Sequence, residues 1–344
     1  MFHRALIAAV SLGALISTAR AENWPQWRGP QHDGASRETG LPIAWDETSA
    51  IAWKCELPEW GQSTPVIWDG AIFVTTQVDD RKLLLLKLDK QSGRIEWTRE
   101  VADAETPRMA KGEKPTGKRG WQKFHVTHNL ATPSPVTNGE VVVAHFGSGD
   151  LAAYDFSGNQ LWHRNLQEEY GSYSIWWGHA NSPVIAGDLV VSVCMQDTCA
   201  DLGEKTFESY LVAHDLKTGA VRWKVARPTQ APAEEGDAYT TPLLWDRGPR
   251  KELVIWGAQI LDAYDPPTGR KLWQMGGFFG NRVVPSPLAK GNILYIIQGK
   301  KDPLVAVEVP PAAADGESSA AVAELSREAV AWEFDQGTSD SPTP

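Results

Sequence analysis

The sequence predicts an all-β protein: a β-propeller of four-stranded antiparallel blades, with five near-complete blades and a partial blade at each end. Three observations predict this fold. A hairpin pattern that ends in Trp recurs four times, a second pattern opened by Pro precedes each hairpin, and the 344 residues include 16 Trp. Repeats of several tens of residues that each supply one small sheet are typical of propellers.

The hairpin pattern reads Asp-x-x-x-Gly-x-x-x-Trp, and its second copy is one residue shorter. Alternating apolar residues before the Asp predict a strand with one buried face. We expect the Asp to accept backbone N–H bonds in the turn, the Gly to adopt a positive φ, and the Trp to cover the seam between blades. The four copies contain Asp89, Gly93 and Trp97; Asp155, Gly158 and Trp162; Asp215, Gly219 and Trp223; and Asp265, Gly269 and Trp273.

The second pattern is a short strand opened by Pro, a turn that contains Gly, and an apolar β-rich strand. Its copies begin at Ser63, Pro133, Asn181 and Pro285, with a longer variant at Thr240. Pro is tolerated there because the first residue of a strand need not donate to the ladder. The two patterns together supply four antiparallel strands per repeat.

Both ends of the repeat array are predicted to be partial blades. Trp53 has the context of a last strand, and Trp332 ends the fifth blade after an Ala- and acid-rich insertion at 310–327 that we expect to be a disordered loop. Ser341-Pro342 then starts another blade. Because an open array would expose unpaired strand edges, we expect the sequence to be truncated from a seven- or eight-bladed ring.

The amino terminus has the features of a signal peptide. Arg4 precedes an uncharged apolar stretch at 5–17, and Ala19-Arg20-Ala21 matches a cleavage site. The stretch is too short to span a bilayer, so we expect an exported protein, periplasmic or secreted, without a transmembrane segment. The predicted segments are a signal peptide at 1–21, an N-terminal extension at 22–44, and a propeller domain at 45–344.

Charge and cysteine content limit the function. A net charge of −10 argues against nucleic-acid binding, which needs a surplus of Lys and Arg on one face. A basic run at 108–123 contains interspersed Gly and Pro and has the composition of a solvated loop. Cys194 and Cys199 are close enough in sequence to form a local disulfide in an oxidising compartment, which leaves Cys55 as an odd thiol.

These repeats resemble the pyrroloquinoline-quinone (PQQ) repeat superfamily over roughly residues 45–344. That superfamily includes quinoprotein alcohol and glucose dehydrogenases and the propeller lipoprotein of the outer-membrane β-barrel assembly machinery. The segment at 24–36 is similar to the opening of secreted bacterial members whose biochemistry is unassigned. The resemblance implies the fold, but function has to be argued from a site because one scaffold hosts enzymes and adaptors.

Residues just before the opening strands are the candidates for a ligand site at an axial funnel. A Trp face such as that of Trp177 suits stacking on a ring, and Asp237 suits a general base or metal ligand. Each candidate also has a structural interpretation, such as capping a loop or filling the space between blades. The candidates are Gln62, His128, Asn129, Trp176, Trp177, His179, Asn181, Glu235, Asp237, Tyr239 and Arg282.

Two functional hypotheses follow. The first is a non-catalytic module that binds a protein or an envelope polymer through its loops and through insertions at 101–124 and 197–209. The alternative is a periplasmic quinoprotein oxidoreductase that uses PQQ and calcium, with Asp237 as its base. The resemblance implies that such enzymes hold PQQ between a Trp and a disulfide of adjacent cysteines. The absence of a Cys-Cys pair favours the first hypothesis.

Overall fold

A computed structural model describes most of the chain. The described residues are 21–106, 128–200, 206–299, 303–312, 321–338 and 340–343. Residues 1–20 of the predicted signal peptide and the basic run at 108–123 lie outside them. Within the described residues, no helix is long and apolar enough to cross a membrane.

Five sheets follow one another in chain order; each contains four antiparallel strands, and the fourth sheet also includes one short parallel strand from the insertion at 310–327. Blade 1 contains β1 (Val66–Trp68), β2 (Ala71–Val78), β3 (Lys82–Asp89) and β4 (Ile95–Asp103). Blade 2 contains β5 (Val136–Thr137), β6 (Val141–His145), β7 (Asp150–Asp155) and β8 (Gln160–Asn165). Blade 3 contains β9 (Val184–Ala186), β10 (Leu189–Cys194), β11 (Tyr210–Asp215) and β12 (Val221–Ala226).

The last two blades complete the array. Blade 4 contains β13 (Leu243–Asp246), β14 (Lys251–Gly257), β15 (Ile260–Tyr264) and β16 (Lys271–Met275). Blade 5 contains β17 (Leu288–Lys290), β18 (Ile293–Ile297), β19 (Leu304–Glu308) and β21 (Val330–Phe334), and β20 (Ala323–Glu324) precedes β21. One short helix, α1 (Leu166–Tyr170), follows blade 2, and 3-10 turns occupy Ala233–Gly236 and Arg327–Ala329. The predicted propeller fold of four-stranded antiparallel blades is confirmed.

The strand sequences follow from their position in a blade. The middle strands β2, β6 and β10 are buried almost throughout, because both faces of a middle strand pack against neighbouring blades. The fourth strands β4, β8 and β12 carry many exposed side chains and alternate more strongly. Apolar clusters lie between successive blades, and Phe73 and Leu85 of blade 1 share one with Val142 and Tyr154 of blade 2. The seams between blades 1 and 2 and between blades 2 and 3 have their own clusters, whereas one continuous cluster extends over blades 3, 4 and 5.

Indole groups close these seams at the outer turns. Each docked indole N–H donates to the carbonyl of the residue that follows the turn Asp of the next blade. The donor–acceptor pairs, with N···O distances, are Trp53 to Lys90 (2.9 Å), Trp97 to Phe156 (3.1 Å), Trp162 to Leu216 (2.9 Å) and Trp223 to Pro266 (3.0 Å). One type of contact therefore joins consecutive repeats.

The Asp and Gly of each turn prepare the surface on which an indole docks. In blade 1, the Asp89 carboxylate accepts the backbone N–H of Ser92 at 2.8 Å, and hydrogen bonds from Ser92 lower the pKa of Asp89. Gly93 has a φ of 71°, and a Cβ there would lie 2.2 Å from the Trp53 ring. Only a glycine fits both the backbone conformation and the close approach.

The shorter turn of blade 2 uses a different contact. A Cβ at Gly158 would meet the guanidinium of Arg99 at 2.6 Å rather than an indole. Arg99 Nε donates to the Gly158 carbonyl at 2.6 Å, and the same guanidinium lies over the Trp97 ring, 5.2 Å from its centroid. The arginine therefore fills the space that the missing turn residue leaves.

Trp273 departs from the pattern that the four sequence copies predict. Its indole N–H donates to the Glu252 carboxylate of its own blade at 2.8 Å, because blade 5 carries the long insertion where the other blades have an Asp-Gly turn. The end of that insertion is ordered. Strand β20 pairs in parallel with β16, and the Leu325 N–H donates to the Gln274 carbonyl at 2.8 Å. The prediction of a disordered loop is wrong for residues 321–327, whereas residues 313–320 lie outside the described chain.

A ladder of hydroxyl groups joins the blades near the axis. The residue before each opening Pro donates its backbone N–H to the hydroxyl of the equivalent residue in the next blade. The N···O pairs are Thr64 to Ser134 (2.9 Å), Ser134 to Ser182 (2.9 Å), Ser182 to Thr241 (3.3 Å), Thr241 to Ser286 (2.8 Å) and Ser286 to Thr343 (3.1 Å). The last rung is Thr343, so the predicted start of the next repeat at Ser341-Pro342 is wrong by two residues.

The possible disulfide between Cys194 and Cys199 is not formed, because both cysteines are free thiols. Cys194 ends β10 and is buried in the apolar cluster that contains Tyr173 and Tyr210. Cys199 lies in the loop that follows, where its backbone N–H donates to the Asp197 carboxylate at 2.8 Å. Burial raises the pKa of the Cys194 thiol, so this thiol stays protonated and packs as a small apolar side chain.

The docked indoles are expected to contribute much of the stability of the array. Trp162 is 7% exposed, and Trp162→Ala removes its packing and its hydrogen bond, so we expect a loss of about 3–5 kcal/mol in the free energy of unfolding. Urea denaturation measures this loss. The matched control is Trp332→Ala, since Trp332 occupies the equivalent strand position in blade 5 but is 44% exposed. The control should cost about 1 kcal/mol or less, and equal losses in the two variants would contradict the docking role.

Candidate functional site at the axial funnel

The segments that precede the inner strands converge at one end of the propeller axis. There they line a cavity of about 550 Å³. Five of the eleven predicted ligand residues line it, namely Gln62, His128, Trp177, Tyr239 and Arg282. The remaining lining residues are Thr132, Ala180, Val284, Asp340 and Ser341, none of which was a predicted ligand residue. We call this cavity the funnel.

Trp177 is held firmly in the funnel wall. Its indole N–H donates to the Glu234 carboxylate at 2.8 Å, and its backbone N–H donates to the Tyr239 hydroxyl at 3.4 Å. The ring meets that of Trp176 edge to face, with centroids 6.5 Å apart. Burial raises the pKa of Tyr239 well above its usual value, so its hydroxyl remains protonated. The two aromatic groups therefore form a preorganised surface.

Arg282 supplies the positive charge of the funnel. Two of its contacts reach the Asp340 carboxylate, with the same guanidinium nitrogen 3.1 Å from each oxygen. Arg282 has a φ of 55°, a conformation that is uncommon outside glycine and is often found at binding sites. A carboxylate thus already occupies part of the cavity wall, beside a guanidinium that is only partly buried.

A hydroxyl connects the two polar residues on the opposite wall. The Thr132 hydroxyl lies 2.9 Å from Gln62 Oε1 and 3.3 Å from His128 Nδ1. Because a hydroxyl carries one proton, it can donate to only one of these groups at a time. The Asn129 carbonyl, 2.8 Å from the same hydroxyl, competes for that proton, so Thr132 is a polar contact shared by Gln62 and His128.

The two predicted asparagines have structural contacts. Asn129 Nδ2 donates to the Trp60 carbonyl at 3.0 Å. Asn181 Nδ2 donates to the carbonyls of Ala238 and Thr240, at 3.1 and 2.7 Å. Both side chains are buried and bridge the segments that open successive blades. They position the funnel wall instead of lining the cavity.

Asp237 is fully buried and lies outside the cavity lining. One carboxylate oxygen accepts the Trp176 N–H and the other accepts the Asp197 N–H, each at 2.8 Å. Burial raises the pKa of Asp237 to about 8. The carboxyl group therefore fixes the loop that carries Trp176 and Trp177, and its oxygens are engaged with the backbone.

The other predicted residues also lie away from the cavity. Glu235 is hydrogen-bonded to Gln259. His179 is fully buried, and its ring stacks on Tyr173 at a centroid separation of 5.0 Å and lies 4.5 Å from the tilted ring of His145. Burial lowers the pKa of His179 to about 3, so the ring is neutral. His145 had no distinguishing sequence signal, because it ends an otherwise apolar strand.

The resemblance raises the question of whether these residues would fit PQQ and calcium. They do not. The oxygens of Asp237 are engaged by backbone N–H groups, and the described residues contain no group of three or more His, Cys, Asp or Glu side chains able to hold a metal ion. Cys194 and Cys199 are neither adjacent in sequence nor bonded.

Comparison with known proteins gives a family and a fold. A search of curated proteins found no match. Among solved structures, BamB from Moraxella catarrhalis is 13% identical with a TM-score of 0.47, and the alignment covers 85% of this chain and 66% of that one. Quinohemoprotein alcohol dehydrogenase from Comamonas testosteroni is 15% identical with a TM-score of 0.50, covering 84% and 48%. This chain thus spans less than two thirds of either protein.

At these identities the solved structures are informative about the fold alone. The family assignment rests on a separate match. The repeat-family model described as "Outer membrane protein assembly factor BamB" matches residues 35–237, which is more than half of the chain and includes blades 1 to 3. The chain therefore belongs to this family of PQQ-like β-propeller proteins.

Proposed function

We propose that this protein is an exported, non-catalytic binding module whose funnel holds a segment of a protein partner. The proposal rests on one observation about the funnel. Trp177, Tyr239 and Arg282 line the cavity and can contact a ligand, whereas the carboxyl group of Asp237 is buried outside the lining. The family description, an outer membrane protein assembly factor, supports a protein partner. The pattern at residues 1–21 supports export.

The side chains of the funnel suit a protein ligand. Trp, Tyr and Arg are the residues most enriched among those that dominate binding energy at protein interfaces. Trp177 and Tyr239 are fixed by hydrogen bonds before any ligand arrives, which reduces the entropy lost on binding. Arg282 adds a guanidinium that recognises carboxylates. We therefore expect the partner to present an extended segment with an apolar or aromatic side chain next to an acidic one.

Photo-crosslinking tests this function directly. Gln62 is exposed in the funnel, and replacing it with p-benzoylphenylalanine in cells should give one discrete protein adduct on irradiation. Arg282→Ala in that background should reduce the adduct about fivefold or more, as expected for a residue worth at least ~1 kcal/mol. The control position is Lys217, which lies on an outer turn with a side chain that is 69% exposed. Equal adducts from both positions would contradict a funnel-based interface.

The alternative function is a PQQ-dependent oxidoreductase, and of the features expected for one the funnel provides an immobilised aromatic face, that of Trp177. Purified protein mixed with PQQ and calcium distinguishes the two functions. We expect no rise in thermal unfolding temperature and no dye-linked oxidation of alcohols or sugars. A rise in unfolding temperature that Trp177→Ala abolishes, together with turnover, would overturn the non-catalytic proposal.

The structural role of Asp237 predicts a specific dependence of stability on pH. With a folded pKa of about 8 against an ordinary value of 3.8, the group stays protonated in the folded state while the unfolded state releases its proton above about pH 4. Its contribution to stability is therefore complete at low pH and is lost as the pH rises through about 8. Asp237→Asn removes this titration, so the stability of the native protein relative to the variant should fall between about pH 5 and about pH 8.

Urea denaturation of both proteins at the two pH values measures the difference. Asp215→Asn is the control, because turn hydrogen bonds from Thr218 lower the pKa of Asp215 and its effect should be constant over the same range. A difference for Asp237→Asn that does not change with pH would show that Asp237 is ionised throughout, as a base with solvent access would be.

A further inference from the structure

The N-terminal extension crosses the propeller axis at the end opposite the funnel. The backbone groups of Trp24 and Ile67 exchange two hydrogen bonds of 2.8 Å, and the Thr137 N–H donates to the Pro25 carbonyl at 2.8 Å. The Asp69 N–H donates to the Asn23 side chain at 2.7 Å. Ile67 and Asp69 lie at the far end of β1 from the funnel, since the chain enters β1 from the funnel wall. We call residues 22–36 the strap.

A second cavity, of about 700 Å³, lies beneath the strap. This volume falls within the range of about 300–1,000 Å³ that is typical of small-molecule sites. Residues from the strap and from the inner region of all five blades line it. The side chains that matter for binding are Gln31, His32, Trp68, Asn138, Asp246 and Lys251. None of them belongs to the funnel, so the cavity is a separate site.

The strap is held in an unusual backbone conformation. Arg28 and His32 have φ values of 66° and 59°, which are uncommon for residues other than glycine. The Trp24 ring packs on Gly29, where a Cβ would lie 2.8 Å from the indole. Backbone strain of this kind persists only where surrounding contacts impose it, and it is concentrated at functional sites. The strap therefore presents its side chains to the cavity in a fixed arrangement.

The contacts of His32 define its tautomer. Gln26 Nε2 donates to the Gly29 carbonyl at 3.0 Å and lies 2.7 Å from His32 Nε2. Because the Gly29 carbonyl can only accept, the Gln26 atom next to it is the NH₂ nitrogen. The same nitrogen donates its second hydrogen to His32 Nε2, which is therefore the acceptor. Burial lowers the pKa of His32 to about 4, and the neutral ring therefore carries its proton on Nδ1. His32 thus contributes a hydrogen-bond donor without a charge.

Trp68 provides the aromatic part of the cavity wall. Its indole packs on Gly139 of blade 2, where a Cβ would lie 2.4 Å from the ring. The side chain is nevertheless only half-buried, so part of the indole surface is available to a ligand. A fixed indole of this kind is a stacking surface for a ring that carries an apolar face.

The charges of the cavity offset one another. Asp246 and Lys251 are direct partners across β13 and β14, so neither sign dominates. The remaining polar groups are the amides of Gln31 and Asn138 and the Nδ1–H of His32, which are neutral. A wall that combines an indole face with neutral donors and acceptors suits a ligand with an apolar face and many hydroxyl groups.

We propose that the cavity beneath the strap binds a neutral saccharide, with one pyranose ring stacked on Trp68 and its hydroxyl groups bonded to Gln31, Asn138 and His32. The site is independent of the funnel and of any protein partner there. A pyranose presents C–H groups on one face and hydroxyl groups around its edge, which matches the indole and the amides in turn. Because the lining carries one charge of each sign, Asp246 and Lys251, it offers a charged ligand no net electrostatic attraction.

Isothermal titration calorimetry of the whole protein with chitotetraose and with maltotetraose tests the proposal. We expect at least one of these neutral oligosaccharides to bind and to quench tryptophan fluorescence. Trp68→Ala should weaken the binding about tenfold or more, which corresponds to ~1.4 kcal/mol. Gln31→Ala should weaken it about threefold, and it keeps the fold intact because Gln31 is exposed and affects no packing.

The funnel variant Trp177→Ala is the matched control and should bind saccharide as the native protein does. Unchanged binding in both Trp68→Ala and Gln31→Ala, or no binding of either oligosaccharide at millimolar concentration, would overturn the proposal. Saccharide binding is measured on purified protein at the cavity beneath the strap, whereas the partner is detected by crosslinking from Gln62 in the funnel. The two proposals therefore fail separately.

Discussion

The structure depends on one repeated contact, an indole of one blade docked on the acidic turn of the next. Each four-stranded blade exposes two apolar faces, so it is stable only when a neighbour covers them. The indole N–H finds its acceptor in the carbonyl of residue 90, 156, 216 or 266, and the Asp and Gly of the turn hold that carbonyl in place. Near the axis, the hydroxyl ladder from Thr64 to Thr343 also joins each blade to the next by one hydrogen bond, from a backbone N–H to a hydroxyl.

This arrangement explains where binding sites lie. Strands and outer turns are committed to contacts between blades, so the segments that enter and leave each blade are the ones free to carry side chains for binding. Those segments meet at both ends of the axis. At one end they form the funnel, whose wall is stabilised by the buried groups of Asn181 and Asp237. At the other end, the strap adds Gln31 and His32 to a cavity whose other lining residues come from the five blades.

The sequence was sufficient to predict the fold because the residues that form one contact, the indole docked on an acidic turn, recur in several repeats. It was insufficient where one copy departs from the others: Trp273 retains the motif, but the sequence of the blade that follows carries a long insertion in place of the Asp-Gly turn. Five of the predicted ligand residues line the funnel, since they precede opening strands. Asp237 was not distinguishable from them by sequence position, because burial by residues distant in sequence, such as Asp197, decides its role. The ligand roles of the five cavity-lining residues stay predictions.

Hydrogen exchange of the indole N–H protons tests the docking contact most directly. Nuclear magnetic resonance of protein labelled with ¹⁵N-tryptophan resolves these protons one by one. The indole protons of Trp53, Trp97, Trp162 and Trp223 should exchange slowly, because each is bonded within a seam. Those of Trp45 and Trp332, which are 69% and 44% exposed, should exchange rapidly. Exchange of the four docked protons as fast as that of the exposed pair would contradict the docking of consecutive blades.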